Sequence, residues 1–292
     1  MTVTSAPTPT PSRTRRLHRR LPGGRLLGDG TALYWWGELV FVIVFYVAYS
    51  VVRNANGNDP GAAYRNAIQL IGWQKTLGLN HEHLLQQWAL HFKPLIYFCN
   101  YFYGSLHFIV TAGVMIFLYR KYSNEYPVWR NTLAITTGLA LIGFTFWPLM
   151  PPRLLDGFIT QHHLAHAHFH FVDTVDKYPA FWSFKRGAVS KISNQFAAMP
   201  SVHCAWALWC TLALVPRLKR NWAKCLAVAY PICTVTAIVL TANHYFLDVV
   251  GGFLTLGLGF AAARVFTRSG RRTTSPDEST DSPSEPAAVV PV

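Results

Sequence analysis

Residues Leu33 to Val52 read LYWWGELVFVIVFYVAYSVV, a run with a single charge, Glu38. As a helix it is about 30 Å long, the thickness of the hydrocarbon core of a bilayer. It predicts a membrane-spanning helix, retained in the mature chain because no small-residue cleavage site follows it. Composition agrees, since 51% of the 292 residues are hydrophobic and only 13% charged, against roughly 25% in soluble domains. Mean hydropathy is +0.20. Further apolar runs lie at about 94 to 119, 131 to 149, 202 to 216, 222 to 243 and 246 to 266. The pattern predicts an all-α polytopic membrane protein, a six-transmembrane-helix bundle over residues 33–266.

The flanks differ in kind. Residues 1–32, rich in Thr, Pro, Ser and Arg, read as a disordered basic tail, and residues 267–292 as a second disordered tail. Residues 62 to 92 mix apolar positions with Gln, His and Trp, which predicts interfacial helices in an outer loop. The net charge of +13 would suggest nucleic acid in a soluble protein, but between apolar runs it suits loops facing anionic headgroups. Six spans place both tails on one side with the loops near 120 to 130 and 217 to 224. That side holds 17 of the 26 Lys and Arg, the opposite side nine. The tails are therefore expected in the cytoplasm of a cell-membrane protein. Cys99, Cys204, Cys210, Cys225 and Cys233 show no metal or disulfide spacing and read as small core residues.

This topology sends three groups to the outer face: Arg153 in Trp147-Pro-Leu-Met-Pro-Pro-Arg153, His203 in Met199-Pro-Ser-Val-His203, and His244 in Asn243-His-Tyr-Phe-Leu-Asp248. His244 and Asp248 are four apart, so on a helix a carboxylate can accept the imidazole N–H. Such a pair makes a better nucleophile, with one nitrogen free to attack and a counter-charge for the imidazolium. A hydrogen bond that merely joins helices explains the pair equally well. His107 and Glu38 also fall inside expected spans, where packing hydrogen bonds and substrate contact are both open.

Pro200-Ser-Val-His203, then His244, Asp248 and Gly251-Gly252, resembles the type 2 phosphatidic acid phosphatase superfamily. Asn194-Gln-Phe-Ala-Ala-Met-Pro-Ser-Val-His203 with Pro151-Pro-Arg153 is similar to its inositol phosphorylceramide synthase branch. The likeness spans about residues 94–260. It implies a membrane lipid phosphatase or phosphotransferase, inositolphosphotransferase-like, working through a phosphohistidine at the extracytoplasmic face without metal or cofactor. His244 would attack phosphorus, Asp248 orient it, His203 protonate the leaving oxygen, and Arg153 and Ser201 hold phosphate oxygens. The implied partner is a lipid phosphate or phospholipid in the membrane, not nucleic acid.

The sequence departs from the commoner family pattern. No lysine stands ahead of Arg153 at the family's spacing, Val202 replaces a glycine, and Ile238 replaces an arginine. Lys185, Arg186 and Lys191 are candidates to supply the missing cations, or simply basic residues near headgroups. His162, His163, His166, His168 and His170 keep alternatives open: a transporter or metal-binding protein using this loop, or a catalytically inactive scaffold. Alternating apolar residues favour a plain surface or interfacial segment.

Overall fold

The computed structural model describes residues 24–28, 31–55, 59–164, 168–178 and 196–272. The expected tail segments 1–23 and 273–292, together with Lys185, Arg186, Lys191 and His166, lie outside the described residues. Strands β1 (Gly24–Leu26) and β2 (Ala32–Tyr34) form an antiparallel pair. Helices follow as α1 (Trp35–Ala55), α2 (Pro60–Thr76), α3 (Glu82–Leu90), α4 (Lys93–Tyr101), α5 (His107–Lys121), α6 (Tyr126–Phe146), α7 (Pro152–Gln161), α8 (Thr174–Lys177), α9 (Val202–Leu214), α10 (Asn221–Leu240) and α11 (Phe246–Arg272). A π-helical turn, Phe102–Leu106, joins α4 to α5.

The protein is mostly helical, with two departures from the expected boundaries. Residues 24–26 belong to a hairpin rather than a tail, because Arg25 donates to the Arg120 carbonyl at 2.8 Å and the Gly28 N–H to Asn124 at 2.9 Å. The last helix continues to Arg272, beyond the expected end at residue 266.

Among the described residues, four helical stretches are long and apolar enough to cross a membrane: Trp35–Val52, Lys93–Lys121, Asn221–Leu240 and Phe246–Thr267. The other two expected spans are helices, α6 with 21 residues and α9 with only 13. Arg130 and Thr132, Thr136, Thr137 and Thr145 make α6 more polar. Its Arg130 pairs with Glu38 at 2.5 Å, and Tyr126 donates to the same carboxylate at 3.0 Å. Glu38 is thus a tie between α1 and α6. Cys99, Cys204 and Cys210 are buried, whereas Cys225 and Cys233 are exposed on α10, contrary to the core reading of all five.

The bundle has two distinct ends. One gathers the hairpin, the α5–α6 turn and Arg217, which pairs with Glu125. The other carries α2, α3, α7 and the turn between α10 and α11. There Ala63, Tyr64, Ala67, Leu70 and Ile71 of α2 pack on Leu149, Met150, Leu155, Ile159 and Tyr245. Asp59 starts α2 by accepting the Ala62 N–H at 3.0 Å, with Pro60 in the first turn. The expected interfacial pair is therefore a packed cap over this end of the bundle.

Candidate active site

The two histidines arrive from different helices. His203 lies in the first turn of α9, and His244 in the turn before α11, yet their ring centroids are 5.5 Å apart in an edge-on arrangement. What allows this is the close approach of α11 to the start of α9. A Cβ on Gly252 would collide with the Ser201 carbonyl oxygen, and one on Gly259 with Thr136 of α6. Small residues let membrane helices touch through their backbones. The Ser201 N–H donates to the Asp248 carbonyl at 3.0 Å, which ties the two helix starts directly.

The turn carrying His244 is tightly determined. The Asn243 and His244 N–H groups return to the Ile238 carbonyl at 2.9 and 3.3 Å. Ala242 is fully buried with φ 51°, a left-handed conformation that costs about 1–2 kcal/mol for a residue with a Cβ. Surrounding contacts hold it there. The Ala242 carbonyl accepts the Arg153 N–H at 2.9 Å, and the Thr241 carbonyl accepts the Thr174 hydroxyl at 3.1 Å.

His244 Nδ1–H donates to Asp248 Oδ2 at 3.3 Å, and the same oxygen accepts the Tyr245 N–H at 2.9 Å. A carboxylate can only accept, so in the neutral ring His244 Nε2 keeps its lone pair. The bond is long, as is common before a substrate tightens a site. Both residues are buried, and Asp248 Oδ1 has no partner among the described residues.

Arg153 opens α7 and is 8% exposed. Its Nε donates to Asn243 Oδ1 at 2.8 Å and its Nη1 to Asp173 at 3.0 Å. Asn243 is in turn held through its amide, which donates to the Thr241 hydroxyl at 2.7 Å. The guanidinium has five N–H groups, and these bonds use two of them. Ser201 is fully buried, and its hydroxyl oxygen caps α9 by accepting the Cys204 N–H at 3.5 Å. Its backbone N–H is committed to the Asp248 carbonyl.

Several neighbours were not readable as site residues. Glu82 Oε1 accepts the Phe246 N–H at 2.9 Å and the Gln74 side-chain amide at 2.7 Å, while Gln74 Oε1 accepts the Leu247 N–H at 3.1 Å. Together with Asp248 they satisfy the orphan donors at the start of α11. Glu82 and Gln74 are 1% and 0% exposed, and an anion there also complements the helix dipole. Burial, with Asp248 and Glu82 nearby, holds the Tyr245 hydroxyl well above its usual range, and it donates to the Met150 carbonyl at 3.0 Å. The only sequence signal for Glu82 was an acid in an otherwise interfacial segment.

The histidine-rich loop is pinned to the cap. Asp156 accepts the N–H groups of Phe169, His170 and Phe171 at 2.9, 3.1 and 2.8 Å, and His168 Nδ1 at 3.1 Å. Among the described residues no group of three or more His, Cys, Asp or Glu is placed to hold a metal ion.

The ordered trio of Arg153, His203 and His244–Asp248 thus converges at one end of a helical bundle. A family model described as the PAP2 superfamily matches residues 68–262. The chain belongs to the PAP2 superfamily. That superfamily generally comprises phosphatases, so membership points to phosphate-ester chemistry at a membrane. Searches of curated proteins and of solved structures return no match. The PAP2 match starts earlier than residue 94, and so takes in Gln74, Glu82 and much of the cap.

Proposed function

We propose that this PAP2 member is a six-span membrane phosphatase or phosphotransferase acting on a lipid phosphate through a phosphohistidine. The observation that carries the reading is the pair of imidazoles 5.5 Å apart, one of them bonded to a buried carboxylate. His244 Nε2 attacks phosphorus in line with the leaving oxygen. Asp248 holds the Nδ1 proton and balances the imidazolium that forms. His203 gives a proton to the leaving oxygen, then takes one from the water or alcohol that releases the phosphoryl group. Arg153 meets charge spreading over the equatorial oxygens, with the Ser201 hydroxyl beside it.

The site lies at the end opposite the basic hairpin and loops. With those in the cytoplasm, it faces the extracytoplasmic leaflet of the cell membrane. Helix α9, about 20 Å long at 13 residues, starts His203 below the surface, which suits a phosphate on a lipid entering from the side. Pro151-Pro-Arg153 and the motif ending in Asp248 support the finer, inositolphosphotransferase-like reading, in which an alcohol replaces water. Lys185, Arg186 and Lys191 are the proposed source of further cations for the phosphate. The geometry favours this reading over a metal-dependent transporter, since among the described residues no group of three or more His, Cys, Asp or Glu is placed to hold a metal ion.

The test is phosphate release from a lipid phosphate in detergent with chelator present, together with trapping of acid-labile label on the protein. His244→Ala should abolish both. Label retained in His244→Ala, or activity lost to chelator alone, would overturn the proposal.

A further inference from the structure

Two polar side chains from the middle of the α4–α5 span remain outside that scheme. Tyr103 lies inside the π turn Phe102–Leu106 and His107 directly after it. Such turns insert an extra residue into a helix and gather at functional sites. Here the turn brings both rings onto His203. Tyr103 stacks on it at 4.4 Å with 29° between planes, and His107 meets it edge-on at 4.3 Å.

His107 is buried, and its Nδ1 contacts the Tyr103 carbonyl at 3.0 Å. A carbonyl oxygen only accepts, so Nδ1 carries a proton, and in the neutral ring Nε2 keeps a lone pair. An aromatic face and a second imidazole ring therefore flank the residue assigned to protonate the leaving group. Charging an imidazole away from water is costly, and a ring face within about 6 Å of a cation offsets that cost.

We propose that Tyr103 and His107 are positioning residues that form a cradle for the protonated form of His203, making it an effective acid toward the leaving oxygen. The proposal rests on the phosphohistidine reading above. The proton balance is unchanged: His203 loses its proton to the leaving oxygen as the P–O bond breaks and regains it from the attacking water or alcohol.

The test compares kcat/KM for an alkyl lipid phosphate, whose poor leaving group needs an acid, with that for p-nitrophenyl phosphate, whose leaving group does not. Tyr103→Leu and His107→Phe should each lower the alkyl rate about tenfold or more and the aryl rate far less. Tyr103→Phe, keeping the ring face, should recover most of the alkyl rate. His107→Phe carries the test independently if Tyr103→Leu fails to fold. Parallel losses on both substrates would overturn the cradle and leave a packing role. His244→Ala separates the two claims, because activity surviving that change on both substrates would sink the phosphohistidine reading itself.

Discussion

Replacing Glu82 by Ala probes how a residue outside the histidine motifs holds them in place. The side chain accepts from the Phe246 N–H at 2.9 Å and from Gln74 at 2.7 Å, and it is 1% exposed. Its removal strands a buried donor on Gln74 and a part-buried one on Phe246, at up to about 1–3 kcal/mol each. Loss of an anion at a helix start adds about 0.3–1 kcal/mol. Relief of a buried carboxylate's desolvation works the other way, leaving a net destabilisation of about 2–4 kcal/mol. Glu82→Gln keeps an oxygen for Phe246 and should cost about 1 kcal/mol.

The activity effect should exceed the stability effect. Loosening the first turn of α11 shifts His244 and Asp248, and displacement of a reacting group by about 1 Å can cost about 100-fold in rate. Thermal unfolding in detergent and kcat/KM on a lipid phosphate, measured on the same preparations, should rank wild type above Glu82→Gln and Glu82→Ala last. A Glu82→Ala protein with wild-type Tm and kcat/KM would refute the reasoning. Equal damage from both variants would show that charge, rather than the acceptor oxygen, is what matters.

Two other outcomes follow from the packing. Gly252→Ala places a methyl against the Ser201 carbonyl, so α9 must move away from α11; activity should fall about tenfold or more while helical content by circular dichroism is kept. Tyr245 should resist ionisation in the folded protein. Its unfolded hydroxyl titrates near pH 10, so above about pH 10 the unfolded state releases a proton that the native state keeps, and stability falls as pH rises. Tyr245→Phe should flatten that alkaline decline in chemical denaturation, and an unchanged slope would count against it.

The membrane character, most helix positions and the separate motifs holding Arg153, His203 and His244–Asp248 were legible because each is local. A run of apolar residues states its own length against a bilayer, and a spacing of four fixes a shared helix face whatever surrounds it. Residues 24–28 were read as tail because their partners, Arg120 and Asn124, lie about a hundred residues away. Glu82 and Gln74 reach α11 across 164 and 173 positions, and no periodicity encodes which distant helix start an acid will cap. Asp173 on Arg153 and the π turn that turns Tyr103 and His107 onto His203 are of the same kind. The sequence determined which groups could do the chemistry, since residue type and short spacing are properties of the chain. Only the tertiary structure decided how those groups are aimed, because that depends on hydrogen bonds and ring contacts formed when separate helices pack.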